Sequence, residues 1–518
     1  MLRRHFVRTL AAVPALLGPR SARASDSRIE VLTPEPLGRI APDLYGHFTE
    51  HIGGVVYDGI WVGENSKIPN TGGIRKQLTD ALRKIGAPVI RWPGGCFADS
   101  YNWRDGIGPR AQRPRRTNFW VNDMKTAPDG PQKYDPNEFG TNEFVRFCRL
   151  AGAEPYLAAN LRSLTPLDFD QWIEYCNAPA GLTSLSTQRG GEPFHVKFWG
   201  VGNESWGCGG DFTPEEYATE FRRFTSWMSR SGDDLKFIAA GPSSGDLDWT
   251  HRFFARLTQK GPGLLNRVYG WAMHYYCGTS GGAVEFTNDD WYTLLASAGR
   301  MEQLIESHWQ AMGEIDTARR VKLVIDEWGA WHRPGTEIHP AFLFGQMPTL
   351  RDALISALTL DTFNRHADKI AMANVAQLIN NLHCLFLAHE DKFVATANYP
   401  VFELYAPHQG ATALRTIFSA PRASKELWGL AGSASLKEKT LVLTVVNPHV
   451  TEARTAEIAI RGAEIREARA RTISAPDIHA HNTFQNPRAV EAREGEALRG
   501  GLYTFPPASI TRLDLFLK

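Results

Sequence analysis

Lys197-Phe198-Trp199-Gly200-Val201 is a short apolar, β-prone run, and it leads through Gly202-Asn203-Glu204 into residues 214–231, where apolar side chains recur at helical spacing. A strand followed by a helix is one βα unit, and the same unit recurs on either side. Candidate strands lie at 43–47, 88–92, 154–159, 197–201, 237–240, 268–274, 322–326 and 371–376. Helical patterns at 74–85, 142–151, 214–231, 295–313 and 348–367 fall between them. Eight such strands between residues 40 and 387 predict an α/β fold, a (β/α)8 TIM barrel with long loops.

Outside that span the rhythm changes. From 388 onward the helical pattern stops, and short β-type runs at 441–446, 457–460, 467–472 and 510–516 are spaced by turns. This predicts a C-terminal all-β, jelly-roll-like sandwich over 388–518. The alternation Arg28-Ile29-Glu30-Val31 reads as a strand ended by Pro34 and Pro36, placed to complete that sandwich from residues 25–39.

The composition fits a globular chain: 43% of the 518 residues are hydrophobic and 22% charged. Lys and Arg number 57 against 56 Asp and Glu, so charge gives no reason to expect a nucleic acid or a membrane surface as partner. Fifteen Trp, 14 Tyr and 27 Phe supply rings for a core, and such a chain also suits stacking on sugars. Residues 1–24 carry five Arg and no acid. Arg3-Arg4 ahead of a short apolar run, with Ala22-Arg23-Ala24 behind it, predicts a twin-arginine signal peptide and a periplasmic or secreted enzyme, free of the membrane once the signal is removed. The six cysteines form no CxxC pair, which argues against a zinc ribbon or a thioredoxin-like motif. Cys148, Cys176 and Cys384 sit in amphipathic or apolar helical patterns and read as buried thiols.

Chemistry on such a barrel sits where its strands end. The fourth candidate strand runs into Asn203-Glu204-Ser205-Trp206, and the seventh into Asp326-Glu327-Trp328-Gly329. Two carboxylates facing each other across a barrel mouth are what glycosidic cleavage requires. One must hold a proton for the leaving oxygen, and the other must be ionised to meet the developing cation. Apolar Trp neighbours and a nearby negative charge both favour the protonated form of such an acid. The amide of Asn203 is placed to hydrogen-bond a sugar hydroxyl. No cofactor is required, and no metal-ligand cluster is expected: His47 and His51 are four apart, but at a strand end rather than on one helical face.

Gly202-Asn203-Glu204 and Asp326-Glu327-Trp328 resemble the acid/base and nucleophile motifs of glycoside hydrolase family 51, the retaining α-L-arabinofuranosidases. Tyr45-Gly46-His47-Phe48-Thr49-Glu50-His51, Arg91-Trp92-Pro93-Gly94-Gly95, Asp105-Gly106-Ile107-Gly108-Pro109, His274-Tyr275-Tyr276 and Met372-Ala373-Asn374-Val375-Ala376-Gln377 extend the resemblance over nearly the whole chain after residue 24. The resemblance implies a catalytic barrel with a β-sandwich. It also implies that Glu204 is the general acid/base, Glu327 the nucleophile, Glu50 and Asn203 ligands of the sugar ring, Tyr276 a partner of Glu327, and Gln377 a pocket residue. Cys96 stands in the binding set where the family often has Asn, and a thiol is a poorer donor than an amide. Cys96, Cys208 and Cys277 all follow predicted strand ends, which leaves open a Cys96–Cys208 or a Cys208–Cys277 disulfide beside the pocket, or free thiols at all three. The implied partner is an arabinofuranosyl-containing oligo- or polysaccharide, and family members often form homo-oligomers. The competing readings are an endo-β-1,4-glucanase or β-xylosidase on the same two Glu residues, a non-catalytic carbohydrate-binding protein, and a purely structural interaction protein.

Overall fold

The structure, a computed structural model, describes residues 25–123, 133–228, 234–336 and 342–518. The expected signal peptide at 1–24 and the last residues of the helical pattern at 214–231 lie outside them. Eight parallel strands close into a barrel: Gly46–Phe48, Val89–Trp92, Glu154–Ala159, Phe198–Val201, Lys236–Ala239, Gly270–Cys277, Lys322–Ala330 and Ile370–Ala376, each paired with the next and the eighth with the first. All eight match candidate strands, Glu154–Ala159 with the same bounds and the others with shifted ends. In the first, residues 42–45 wind into a 3-10 turn beginning at Pro42, whose fixed φ suits a helical start, and extended structure begins only at Gly46.

Side chains alternate across each strand. Val89, Tyr156, Phe198, Ile238, Ala272, Val324 and Met372, one from each of seven strands, fill one inner layer of the barrel. Outward residues meet the helices. Trp199 packs edge-on against Phe169 and Trp172, and Trp271 against Phe254. The helices carry their own start signals. Thr165, Thr213 and Thr349 each cap a helix through the third residue beyond them, a reciprocal box that satisfies backbone donors otherwise left open. The helical pattern at 295–313 is divided into Asn288–Ala298 and Arg300–Gly313, broken at Gly299.

The second module is a nine-stranded antiparallel-rich sheet folded as a sandwich around Ile29, Val31, Leu443, Leu513, Tyr503 and Phe505. The N-terminal strand runs Ser27–Arg39, beyond the prolines expected to end it. It pairs with Arg454–Arg461 only as far as Leu32 and with Thr412–Ser419 along its length, with register shifts around Pro36. Pro34 and Pro36 therefore sit where one edge is unpaired and the register of the other is irregular, positions where a sheet tolerates residues without an N–H. The helical pattern does not stop entirely at 388: Tyr399–Tyr405 forms a short helix started by Pro400. Asp361 of the long barrel helix Leu350–Arg365 accepts from Ser433 and Thr444 of the sandwich, at 2.6 Å each.

Candidate active site

Behind the fourth strand the chain turns sharply. Gly202 and Glu204 both adopt positive φ, +84° and +38°, and the backbone doubles back so that Gly207 and Gly209 donate to the Glu204 carbonyl. A side chain at Gly209 would strike the Asn203 carbonyl oxygen at 1.7 Å, so the turn that presents Glu204 requires glycine there. In the seventh strand, pairing with the eighth shifts register between Ile325 and Trp328, and pairing with the sixth shifts between Ala272 and His274. These irregularities turn the adjacent residues Asp326 and Glu327 toward the same cluster, which strict alternation forbids.

His274 lies between the two predicted catalytic acids. Its Nδ1 is 3.0 Å from Glu204 Oε1 and 3.4 Å from Glu327 Oε2, and its Nε2 is 3.1 Å from Asp326 Oδ1. One oxygen of Glu204, one of Glu327 and the imidazole nitrogen all fall within 4.8 Å of one another. Burial opposes a charge on His274, but Glu327 and Asp326 overcome it and lift its pKa to about 10, so the ring is an imidazolium at neutral pH. Burial likewise favours a neutral Asp326, yet Arg91 and His274 hold it below the usual carboxylate range.

Glu327 is fixed from both sides. Arg91 Nη1 donates to its Oε1 at 2.7 Å, and Tyr276 donates its hydroxyl to Oε2 at 2.8 Å. The second arm of the same guanidinium donates to Asn203 Oδ1 at 2.7 Å. Glu50 closes the opposite wall, accepting from the Phe97 N–H and Trp120 Nε1 through one oxygen and from Gln377 Nε2 through the other, at 3.0 Å each. Burial pushes its carboxyl up to about 7, the Phe97 bond pulls it down and the charge on Glu327 adds to the rise. Gly94 lets Glu50 approach, since a Cβ there would meet Glu50 Cγ at 2.6 Å. The buried Oε1 of Gln377 has no hydrogen-bond partner among the described residues.

Every predicted site residue thus converges on one cluster: Glu50, Cys96, Asn203, Glu204, Tyr276, Glu327 and Gln377. Cys96 arrives in a different chemical form from the one assumed. It is bridged to Cys208, while Cys277 is a free buried thiol, so Cys96 carries no S–H to donate to a sugar. The expected Trp flank of Glu327 is also absent. Trp328 is buried on the outer side of the strand against Phe363, because neighbouring strand residues face opposite ways. Sequence reasoning missed Arg91, His274, Asp326 and Trp120 as site residues. Arg91 and His274 lie at or near the ends of predicted strands, and that position was the available signal. Beside Glu204 a hollow opens, lined by Trp206, Ser243, Tyr276, Thr279, Ser297 and Arg300.

Comparison with known proteins gives consistent matches. Residues 81–279 match the α-L-arabinofuranosidase 1 domain and residues 326–509 the α-L-arabinofuranosidase C-terminal domain. The chain is 34% identical to an intracellular exo-α-L-arabinofuranosidase of Bacteroides ovatus, over 92% of this chain and 93% of that one. It is 30% identical to an intracellular exo-α-(1→5)-L-arabinofuranosidase of Acetivibrio thermocellus, over 66% and 68%. Among solved structures, the family 51 arabinofuranosidase of Xanthomonas axonopodis pv. citri superposes with a TM-score of 0.88 at 34% identity, covering 94% of this chain and all of that one. The Thermotoga maritima α-L-arabinofuranosidase in complex with arabinose gives 0.81 at 29% identity, covering 95% and 100%. The two curated relatives are named intracellular, which overturns the expectation of a periplasmic or secreted location. That expectation rested on arginines before an apolar run, a compositional pattern that carries no geometry.

Proposed function

The chain belongs to the α-L-arabinofuranosidases of glycoside hydrolase family 51, and from that membership we propose how its own residues divide the work. It is a retaining, exo-acting glycoside hydrolase. The glucanase, xylosidase, binding-protein and structural readings are not favoured. Glu327, oriented by Arg91 and Tyr276, attacks the anomeric carbon of a terminal arabinofuranosyl unit. Its C–O bond forms as the glycosidic C–O bond breaks, and Glu204 gives its proton to the departing oxygen. Glu204, now a carboxylate, takes a proton from water, whose oxygen displaces Glu327 and releases arabinose with its configuration retained. The observation that carries this reading is the closeness of the two acids. Their nearest oxygens fall within the 4.8 Å cluster around His274, in keeping with the roughly 5–5.5 Å spacing of retaining pairs and short of the roughly 6.5–9.5 Å that inversion needs.

Glu50, Asn203 and Gln377 supply acceptors and donors for the ring hydroxyls, and the hollow beside Glu204 takes the leaving group. The catalytic unit is residues 40–387, with 25–39 and 388–518 as the sandwich, and the substrate is an arabinose-bearing hemicellulose or oligosaccharide. The test is a panel of linkage-defined arabino-oligosaccharides, with the product anomer followed by NMR. The wild type is expected to release arabinose from chain ends with retention, and Glu327→Ala to release none. Inverted product, or cleavage of carboxymethylcellulose in place of arabinosides, overturns the assignment.

A further inference from the structure

The Cys96–Cys208 bridge lies against the acid/base carboxylate rather than away from the chemistry. Cys208 Sγ is 3.6 Å and Cys96 Sγ 3.8 Å from the same oxygen, Glu204 Oε2. All three residues are partly exposed. A zinc ion with tetrahedral bonds of about 2.3 Å to sulfur and about 2.0–2.2 Å to oxygen spaces those ligands about 3.5 Å apart. The sulfur-to-oxygen distances, 3.6 and 3.8 Å, are within a few tenths of an ångström of that value. While the sulfurs are bonded to each other they are weak ligands, and as thiolates they are strong ones.

We propose that reduction of the Cys96–Cys208 bridge creates a site for a thiophilic divalent cation, Zn²⁺ as the probe, held by Cys96, Cys208 and Glu204 with the fourth position left to water, and that the bound ion arrests hydrolysis. A dithiol supplies two electrons and two protons to the bridge, the S–S bond breaks to give two thiols, and the dithiol leaves as its own cyclic disulfide. Zinc then displaces one proton from each thiol into solvent as the two Zn–S bonds form. The ion ties up the carboxylate that must protonate the leaving group, so the arrest, unlike the binding, rests on the role of Glu204 proposed above.

The test uses the full chain in two forms, as isolated and after dithiol reduction with the reductant removed anaerobically. The reduced form is expected to bind one Zn²⁺ per chain by equilibrium dialysis. It should lose hydrolysis of an aryl arabinofuranoside at zinc concentrations at least tenfold below any that affect the oxidised form, with chelator restoring it. Co²⁺ in place of zinc should give a thiolate charge-transfer band in the reduced form alone. Cys96→Ser/Cys208→Ser should show neither binding nor the band. Equal zinc binding by the oxidised and reduced forms, or no cobalt band on reduction, overturns the site. The cobalt spectrum of reduced wild type decides this even if the double variant does not fold. Binding with the band present but hydrolysis unimpaired leaves the site standing and overturns the role given to Glu204.

Discussion

Arg91 and Glu327 form a buried ion pair at 2.7 Å, and the same guanidinium reaches Asn203 with its other arm. One planar fork therefore sets both the nucleophile and the amide beside the acid/base, a geometry that a lysine ammonium does not reproduce. Arg91→Lys is expected to keep the positive charge and lower kcat by about 10²–10³-fold, the usual scale for losing a preorganised electrostatic contact. Arg91→Ala should in addition destabilise the fold by about 3–5 kcal/mol, since it breaks the buried pair with Glu327 and leaves His274 to balance both Glu327 and Asp326. Steady-state kinetics and denaturant melts check the two effects separately.

Tyr276→Phe removes one hydroxyl, the donor to Glu327 Oε2. Hydrogen bonds to charged groups contribute about 1.5–3 kcal/mol, so kcat should fall roughly ten- to hundredfold while the melting temperature stays near wild type. An unchanged kcat would show that Arg91 and His274 orient the nucleophile without the Tyr276 hydroxyl.

Glu204→Ala should separate the two half-reactions. An aryl arabinofuranoside with a good leaving group needs little protonation and should still give a burst of phenol, whereas a sugar leaving group should not depart. The second step lacks its base, so steady-state turnover should fall by about 10²–10⁴-fold, and azide, a nucleophile that needs no base, should restore it. Loss of the burst together with the steady state would move the acid/base role elsewhere.

Glu50 links pH to stability. Its carboxyl is pushed from 4.5 to about 7 by burial, so between those values the folded chain holds a proton that the unfolded chain has released. Its contribution is fully present below 4.5 and is lost as pH rises through 7, amounting to about 3 kcal/mol for a shift of this size. Glu50→Gln should flatten the fall in unfolding free energy over that window, measured by denaturant titration at several pH values. A fall as steep as wild type would mean that another group carries it.

The barrel was legible because each βα unit is a local pattern, and Glu204 and Glu327 were legible because both follow strands of that pattern. What escaped the sequence was long-range. The shifts in register that turn Asp326 in beside Glu327 depend on how three strands meet, and no spacing within one of them reveals it. His274 looked like one more strand residue until its position between three carboxylates was known. The prolines at 34 and 36 read as a strand end because their unpaired edge is created by residues more distant in the chain. Two disulfide pairings for Cys208 fitted the order of the strands, and only the turn after Glu204 brings Cys96 rather than Cys277 to it.

The strand Ser27–Arg39 has its hydrogen-bonding neighbours at 412–419 and 454–461. During synthesis it emerges before the barrel yet has nothing to pair with until the ribosome has passed residue 419, and its second neighbour follows only after residue 461. This segment must therefore stay uncommitted while the barrel assembles. The sandwich that follows the barrel is completed by a segment that precedes the barrel, so a nascent chain released early carries an open, adhesive sheet edge.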